Sequence, residues 1–272
     1  MINLRSCESI TKLPDLCCPN LEKLDLIVCK NLIEVHESIG SLMKLKKWNL
    51  DGCSQLQILP STLKLKSLEY FNLDDCLRLE KFPDIDPKMN RLRGLNLAGS
   101  GIRELPSSLL YLTRLYWLYL TSSFNKSKLT NFLVGANKSQ MREEEDIPSA
   151  KLRLPCNSFN NFSGPTGFLR LSRLDLRGCP IKDGLDSWMQ PDYFPVLMTL
   201  YLSYTGIVTI PESISRFTTL LYLEIKNCKK LREIPRLPQS IRTVDAMNCE
   251  QLDSQSLSRL LNQVSLSFSF SL

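Results

Sequence analysis

LEYFNLDDCLRLEKFP, residues Leu68–Pro83, sets leucine or phenylalanine at Leu68, Phe71 and Leu73, then Cys76, Leu79 and a closing Pro83. Four other stretches can be laid over it, two of them one residue shorter: Leu45–Pro60 (LKKWNLDGCSQLQILP), Leu92–Pro106 (LRGLNLAGSGIRELP), Leu197–Pro211 (LMTLYLSYTGIVTIP) and Leu220–Pro235 (LLYLEIKNCKKLREIP). All read as LxxLxLxxCxxLxxLP with small adjustments. The first apolar residue of each unit falls at Leu21, Leu45, Leu68, Leu92, Leu115, Leu171, Leu197, Leu220 and Ile241, with steps of 24, 23, 24, 23, 56, 26, 23 and 21 residues. Apart from the step of 56, the period is about 23.

A period of that length with this pattern is the signature of leucine-rich repeats. In the LxL core (Leu24/Leu26, Trp48/Leu50, Phe71/Leu73, Leu95/Leu97, Leu118/Leu120) apolar and polar residues alternate, so one face of a short strand is buried. The apolar side chains of one unit cannot offset the entropy of ordering its backbone, whereas stacked units share their buried faces. The expected fold is an α/β solenoid, a horseshoe arc with one parallel sheet on its concave face. The L-P endings carry the chain over the convex side, because proline fixes φ and ends regular structure.

Four segments follow. Residues 1–123 hold repeats, the first incomplete: Ile2, Leu4, Cys7, Ile10, Leu13 and Pro14 fill only its later positions, which predicts a fragment of a longer product. Residues 124–170 form an irregular insertion, with a degenerate repeat expected near Ile147–Pro155 and a strand through Leu152 and Leu154. Repeats resume over 171–253. Residues 254–272 are a tail leading toward a further domain, with helical spacing in Ser254–Asn262 and strand alternation in Val264–Leu272.

Seven of the ten cysteines (Cys7, Cys29, Cys53, Cys76, Cys179, Cys228 and Cys249) share one position of the repeat. A thiol there is expected to be a buried structural ladder, packing as a small hydrophobe and donating weakly to a turn carbonyl. So many unpaired thiols, with no leader-like or membrane-spanning apolar run, point to a reducing interior, cytoplasmic or nuclear. The net charge is +6 but spread thinly: 16 basic against 14 acidic residues in 1–123, 7 against 4 in 124–170, and 11 against 10 in 171–272. No basic stripe suits nucleic acid and no segment suits membrane insertion. No carboxylate pair, metal set, nucleophile or phosphate loop stands out, so neither an enzyme nor a cofactor is expected. His36 occupies the place of a terminal proline and is expected to be structural or solvent-exposed.

The aligned cysteines, the LP endings and the run Pro235-Arg-Leu-Pro-Gln-Ser-Ile241 followed by Val244-Asp-Ala-Met-Asn-Cys249 resemble one family. They are similar to the C-terminal repeats of plant intracellular immune receptors with a Toll/interleukin-1-receptor-like domain and a nucleotide-binding switch. Leu97-Ala-Gly-Ser-Gly-Ile102-Arg-Glu-Leu-Pro106 and Leu174-Asp-Leu-Arg-Gly-Cys179 fit the same pattern. The resemblance implies a recognition module whose protein partner is a pathogen effector or the receptor's own nucleotide-binding domain. A stand-alone scaffold or ubiquitin-ligase substrate adaptor is the alternative.

Polar positions flanking each LxL point away from the core. They yield an acidic patch (Asp51, Asp74 and Asp75) and a later zone of Trp117, Tyr119, Arg173, Asp175, Arg177, Tyr201, Tyr204, Tyr222 and Glu224. Exposed aromatic residues beside arginine have the composition of interface hot spots. The alternative is that the rings simply stack on one another across strands.

Overall fold

The computed structural model describes residues 1–102, 105–121, 168–179, 181, 185 and 189–264. Ten short strands among them form one parallel sheet in sequence order: β1 (Ile2–Asn3), β2 (Lys23–Asp25), β3 (Lys47–Asn49), β4 (Tyr70–Asn72), β5 (Gly94–Asn96), β6 (Trp117–Tyr119), β7 (Arg173–Asp175), β8 (Thr199–Tyr201), β9 (Tyr222–Glu224) and β10 (Thr243–Asp245). The register joins like positions of successive repeats, so that Trp48 lies beside Phe71 and Leu118 beside Leu174. This is the expected leucine-rich-repeat solenoid.

Each strand ends in the same way. The apolar residue after it donates to the next strand, as Leu26 does to Asn49, Leu73 to Asn96 and Leu202 to Glu224, at 2.7–2.8 Å. Two residues later the backbone turns left-handed: Ser6, Val28, Gly52, Asp75, Gly99, Gly178, Tyr204, Asn227 and Asn248 have φ of 54–72°. That kink turns the following side chain inward, and this side chain is the ladder residue. Cys29, Cys53, Cys76, Cys179 and Cys228 are buried, while Cys7 and Cys249, in terminal repeats, are half-buried. Their thiols donate one repeat back: Cys29 to Leu4 at 2.9 Å, Cys53 to Leu26 at 3.2 Å, Cys179 to Leu120 at 3.0 Å and Cys249 to Ile225 at 2.9 Å. Burial pushes the Cys53 thiol up to about 12 and those of Cys76 and Cys179 higher still. Among the described residues two rungs are not cysteine. Ser100 and Thr205 instead bond within their own turns, to Leu97 and Leu202, at 2.7 and 2.6 Å.

The core is one continuous row of buried leucines, widened at Trp48 and Phe71, whose rings stack at 4.7 Å. On the convex side the L-P signature has a specific use. Pro106 and Pro211 stand with φ of −68° and −62° at the starts of the 3-10 turns Ser107–Tyr111 and Glu212–Arg216. His36 starts Glu37–Ser41 with φ of −61°, and its Nδ1 accepts from the Ser38 N–H at 3.2 Å. Histidine thus replaces proline by capping the turn instead of by fixing φ.

Two expectations meet the structure differently. The sheet passes directly from β6 to β7, pairing Trp117 with Arg173 and Tyr119 with Asp175, and Cys179 reaches straight back to Leu120. The degenerate repeat expected near Ile147–Pro155, with its strand through Leu152 and Leu154, lies outside the described residues. At the other end, helix α1 (Ser254–Val264) includes Val264, which was read as the start of a strand; the rest of that stretch also lies outside the described residues. The Asp253 carboxylate accepts from the Ser256 N–H at 2.5 Å and so caps α1. Ser256 and Gln263 bond the backbone of Ile234 and Leu237, and Leu260 is buried against the last repeats.

Candidate functional site

The residues facing away from the core stand in columns fixed by the register. One column, at the strand starts, reads Lys23, Lys47, Tyr70, Gly94, Trp117, Arg173, Thr199, Tyr222 and Thr243. The next, at the strand ends, reads Asp25, Asn49, Asn72, Asn96, Tyr119, Asp175, Tyr201, Glu224 and Asp245.

In the first repeats the second column works for the backbone. The side-chain oxygens of Asn49, Asn72 and Asn96 accept from the N–H of Asp51, Asp74 and Ala98 at 3.0–3.1 Å. Each closes the turn that leads to the left-handed residue. Of the predicted acidic patch, Asp51 and Asp74 follow those turns and are half-buried, and both engage neighbours. Asp75 is itself left-handed, with its carboxylate over Gly99: a Cβ there would sit 2.1 Å from Asp75 Oδ1.

From β6 onward the face is aromatic. Trp117 stacks on Tyr119 at 4.8 Å and lies 6.4 Å from Tyr70. Its indole also covers Gly94, where a Cβ would meet Cζ2 at 2.1 Å. Arg173 donates to the Tyr119 hydroxyl at 3.3 Å, which raises the pKa of its guanidinium. Tyr201 stands under Arg177 at 5.1 Å and beside Tyr222 at 5.5 Å. Stacking and exposure therefore coexist: these rings touch one another, and Trp117, Tyr119, Tyr201, Tyr204 and Tyr222 all remain half-exposed.

Two predicted contact residues are withdrawn from the surface. Asp175 is 3% exposed, and Arg177 grips it through Nε and Nη2 at 3.0 and 2.6 Å, which raises the Arg177 pKa. Glu224 is 8% exposed, accepting from Ser203 at 2.8 Å and from Tyr222 at 3.3 Å. Lys226 bonds Asp245 at 2.7 Å. Burial, then Glu224, pushes the Tyr222 phenol up to about 12. These charges tie the strand ends together.

The columns as read from sequence omitted the residues just before each strand. Tyr116 and Met198, at 55% and 40% exposure, stand there and widen the aromatic face, joined by half-buried Leu221. The signal was present in the LxxL spacing, which leaves two outward positions before the strand.

Comparison with known proteins agrees with this architecture. The chain is 30% identical over 282 residues to TMV resistance protein N of Nicotiana glutinosa, an alignment covering 88% of this chain and 25% of that protein. It is 29% identical to disease resistance protein RPP5 of Arabidopsis thaliana, over 97% of this chain and 17% of the relative. The chain belongs to the leucine-rich repeats of the Toll-type plant disease resistance proteins. It spans about a quarter or less of the length of these relatives. No family model matches it. Among solved structures, the repeat domain of the type III effector XopL shares the fold with a TM-score of 0.58 at 21% identity, covering 89% of this chain and 75% of that one. Among the described residues no group of His, Cys, Asp and Glu could hold a metal ion, and no helix is long and apolar enough to cross a membrane.

Proposed function

We propose that this chain is the recognition segment of an intracellular plant immune receptor and acts by protein contact through its outward sheet face. The observation that carries the reading is the aromatic zone of β6–β9. Half-exposed Trp117, Tyr119, Tyr201 and Tyr222 are presented on a rigid parallel sheet, with the guanidinium groups of Arg173 and Arg177 among them. Large rings already held by their neighbours lose little freedom on binding, which is why such residues dominate interface energies. The partner is a pathogen effector or the receptor's own nucleotide-binding domain, and the compartment is the cytoplasm or nucleus. Similarity to TMV resistance protein N and RPP5 over most of the chain supports the defence context.

Sequencing the native transcript upstream of Met1 tests the reading. An in-frame phosphate-binding loop and switch domain is the expected result. An F-box in that place would overturn it in favour of a ubiquitin-ligase adaptor.

A further inference from the structure

We propose that the ridge along the starts of strands β3–β7 takes an acidic, apolar peptide segment of the partner, laid across the strands. The inference rests on the protein-contact reading above and adds the chemistry of the occupant.

The ridge carries exposed Lys47, Arg93 and Arg173, and among the described residues none of the three is paired with a carboxylate. Lys47 Nζ lies 5.3 Å from the centre of the Tyr70 ring, and Arg173 bonds a neutral phenol. Carboxylates nearby are already matched: Asp25 by Arg5 at 2.7 Å, Glu22 by Lys46 at 2.9 Å and Asp175 by Arg177 at 2.6 Å. Glu69, between Lys46 and Arg93, is the exception. Between the cations the surface is apolar, with Tyr70 and Trp117 in the strand-start column and Tyr116 beside them. Unpaired cations alternating with rings complement a chain that alternates carboxylates with aliphatic or aromatic side chains.

Strand spacing sets the register of that occupant. Lys47 on β3 and Arg173 on β7 are four strands apart, about 19 Å at about 4.8 Å per strand. An extended segment covers that distance in about six residues. Two acidic residues about six apart, with apolar residues between them, are therefore expected. A nucleic-acid backbone fits less well, because Glu69 interrupts the ridge and Asp51, Asp74 and Asp75 border its turn side.

The test is selection of a displayed library of random 12-residue peptides on the full 272-residue chain, in parallel with a Lys47→Glu/Arg173→Glu variant. Both substituted side chains are surface groups without a carboxylate partner, and urea unfolding checks that the variant folds; Lys47→Gln/Arg173→Gln serves as the charge-neutral control. The expected winners carry acidic residues spaced as above. They bind the Glu variant at least about tenfold more weakly, bind the Gln variant at an intermediate level, and weaken as salt rises. Winners without acidic bias, winners that bind all forms equally, or no winners at all would overturn the inference. A labelled 12-nucleotide single-stranded RNA that displaces the peptides and binds more tightly would overturn it in favour of a polyanion groove. None of these results bears on the transcript, which decides the immune-receptor reading separately.

Discussion

Strands β3–β5 and strands β6–β9 share one core and one register, yet their outward faces are built on different terms. In the first group the residue at the strand end is asparagine, and its amide oxygen holds the turn that follows. In the second group it is Tyr119, Asp175, Tyr201 or Glu224. Asp175 still makes that turn bond, accepting from the Arg177 N–H at 3.1 Å, whereas tyrosine cannot. The outward column is thus given to turn-holding asparagines in one place and to stacked rings in another.

The largest expected difference between the halves is electrostatic. Arg177→Ala leaves the buried Asp175 carboxylate without its cation and should cost about 2–4 kcal/mol in urea unfolding, somewhat reduced because Arg177 itself is partly exposed. Arg5→Ala breaks a pair with Asp25 whose arginine lies open to water, and should shift the urea midpoint far less. Equal costs would erase the distinction between a buried edge and a solvated one. At the glycines, Gly99→Val forces a β-branched residue to φ of 66° against the Asp75 carboxylate, and a loss of about 2–3 kcal/mol is expected. Val28→Gly removes such a residue from φ of 58° and should raise stability by about 1 kcal/mol.

A smaller effect separates the turn-holding asparagines from the tyrosines. Asn72→Ala is expected to cost about 0.5–1.5 kcal/mol by freeing the Asp74 N–H, with no change in surface aromaticity. Smallest is a pH effect confined to the aromatic half. Tyr222 has its folded pKa raised to about 12 from an ordinary value near 10, so its contribution is complete below 10 and is lost as pH climbs toward 12. Stability should therefore decline over that window, and Tyr222→Phe should remove this part of the decline. An unchanged slope in the variant would show that the phenol is as well solvated as in the unfolded chain.

Most of the fold was legible because a period of about 23 residues repeats the same inward set, and the register follows once like positions are stacked. The ladder was legible for the same reason, although sequence pointed only to a turn carbonyl and not to the residue one repeat back that supplies it. Ser100 and Thr205 were missed as rungs because pattern reading looked for sulfur, whereas the position demands only a small side chain with a donor. Burial of Asp175 and Glu224 was not legible, since it depends on cations two residues further along folding back over the strand end. The step of 56 residues gave length but no register: β6 pairs with β7, and most of the residues between them lie outside the described ones.

The central proposal is that the aromatic zone of β6–β9 carries the larger share of partner recognition. The most direct measurement introduces Trp117→Ala/Tyr201→Ala and, separately, Asn49→Ser/Asn72→Ser into the full receptor carrying this chain, and scores the cell-death response in leaves at matched protein levels. The account predicts that the aromatic pair changes the response severalfold or more, abolishing it if the face senses an effector or triggering it unprompted if the face restrains the switch, while the asparagine pair leaves it near normal. A response altered by the asparagine pair and untouched by the aromatic pair would contradict it.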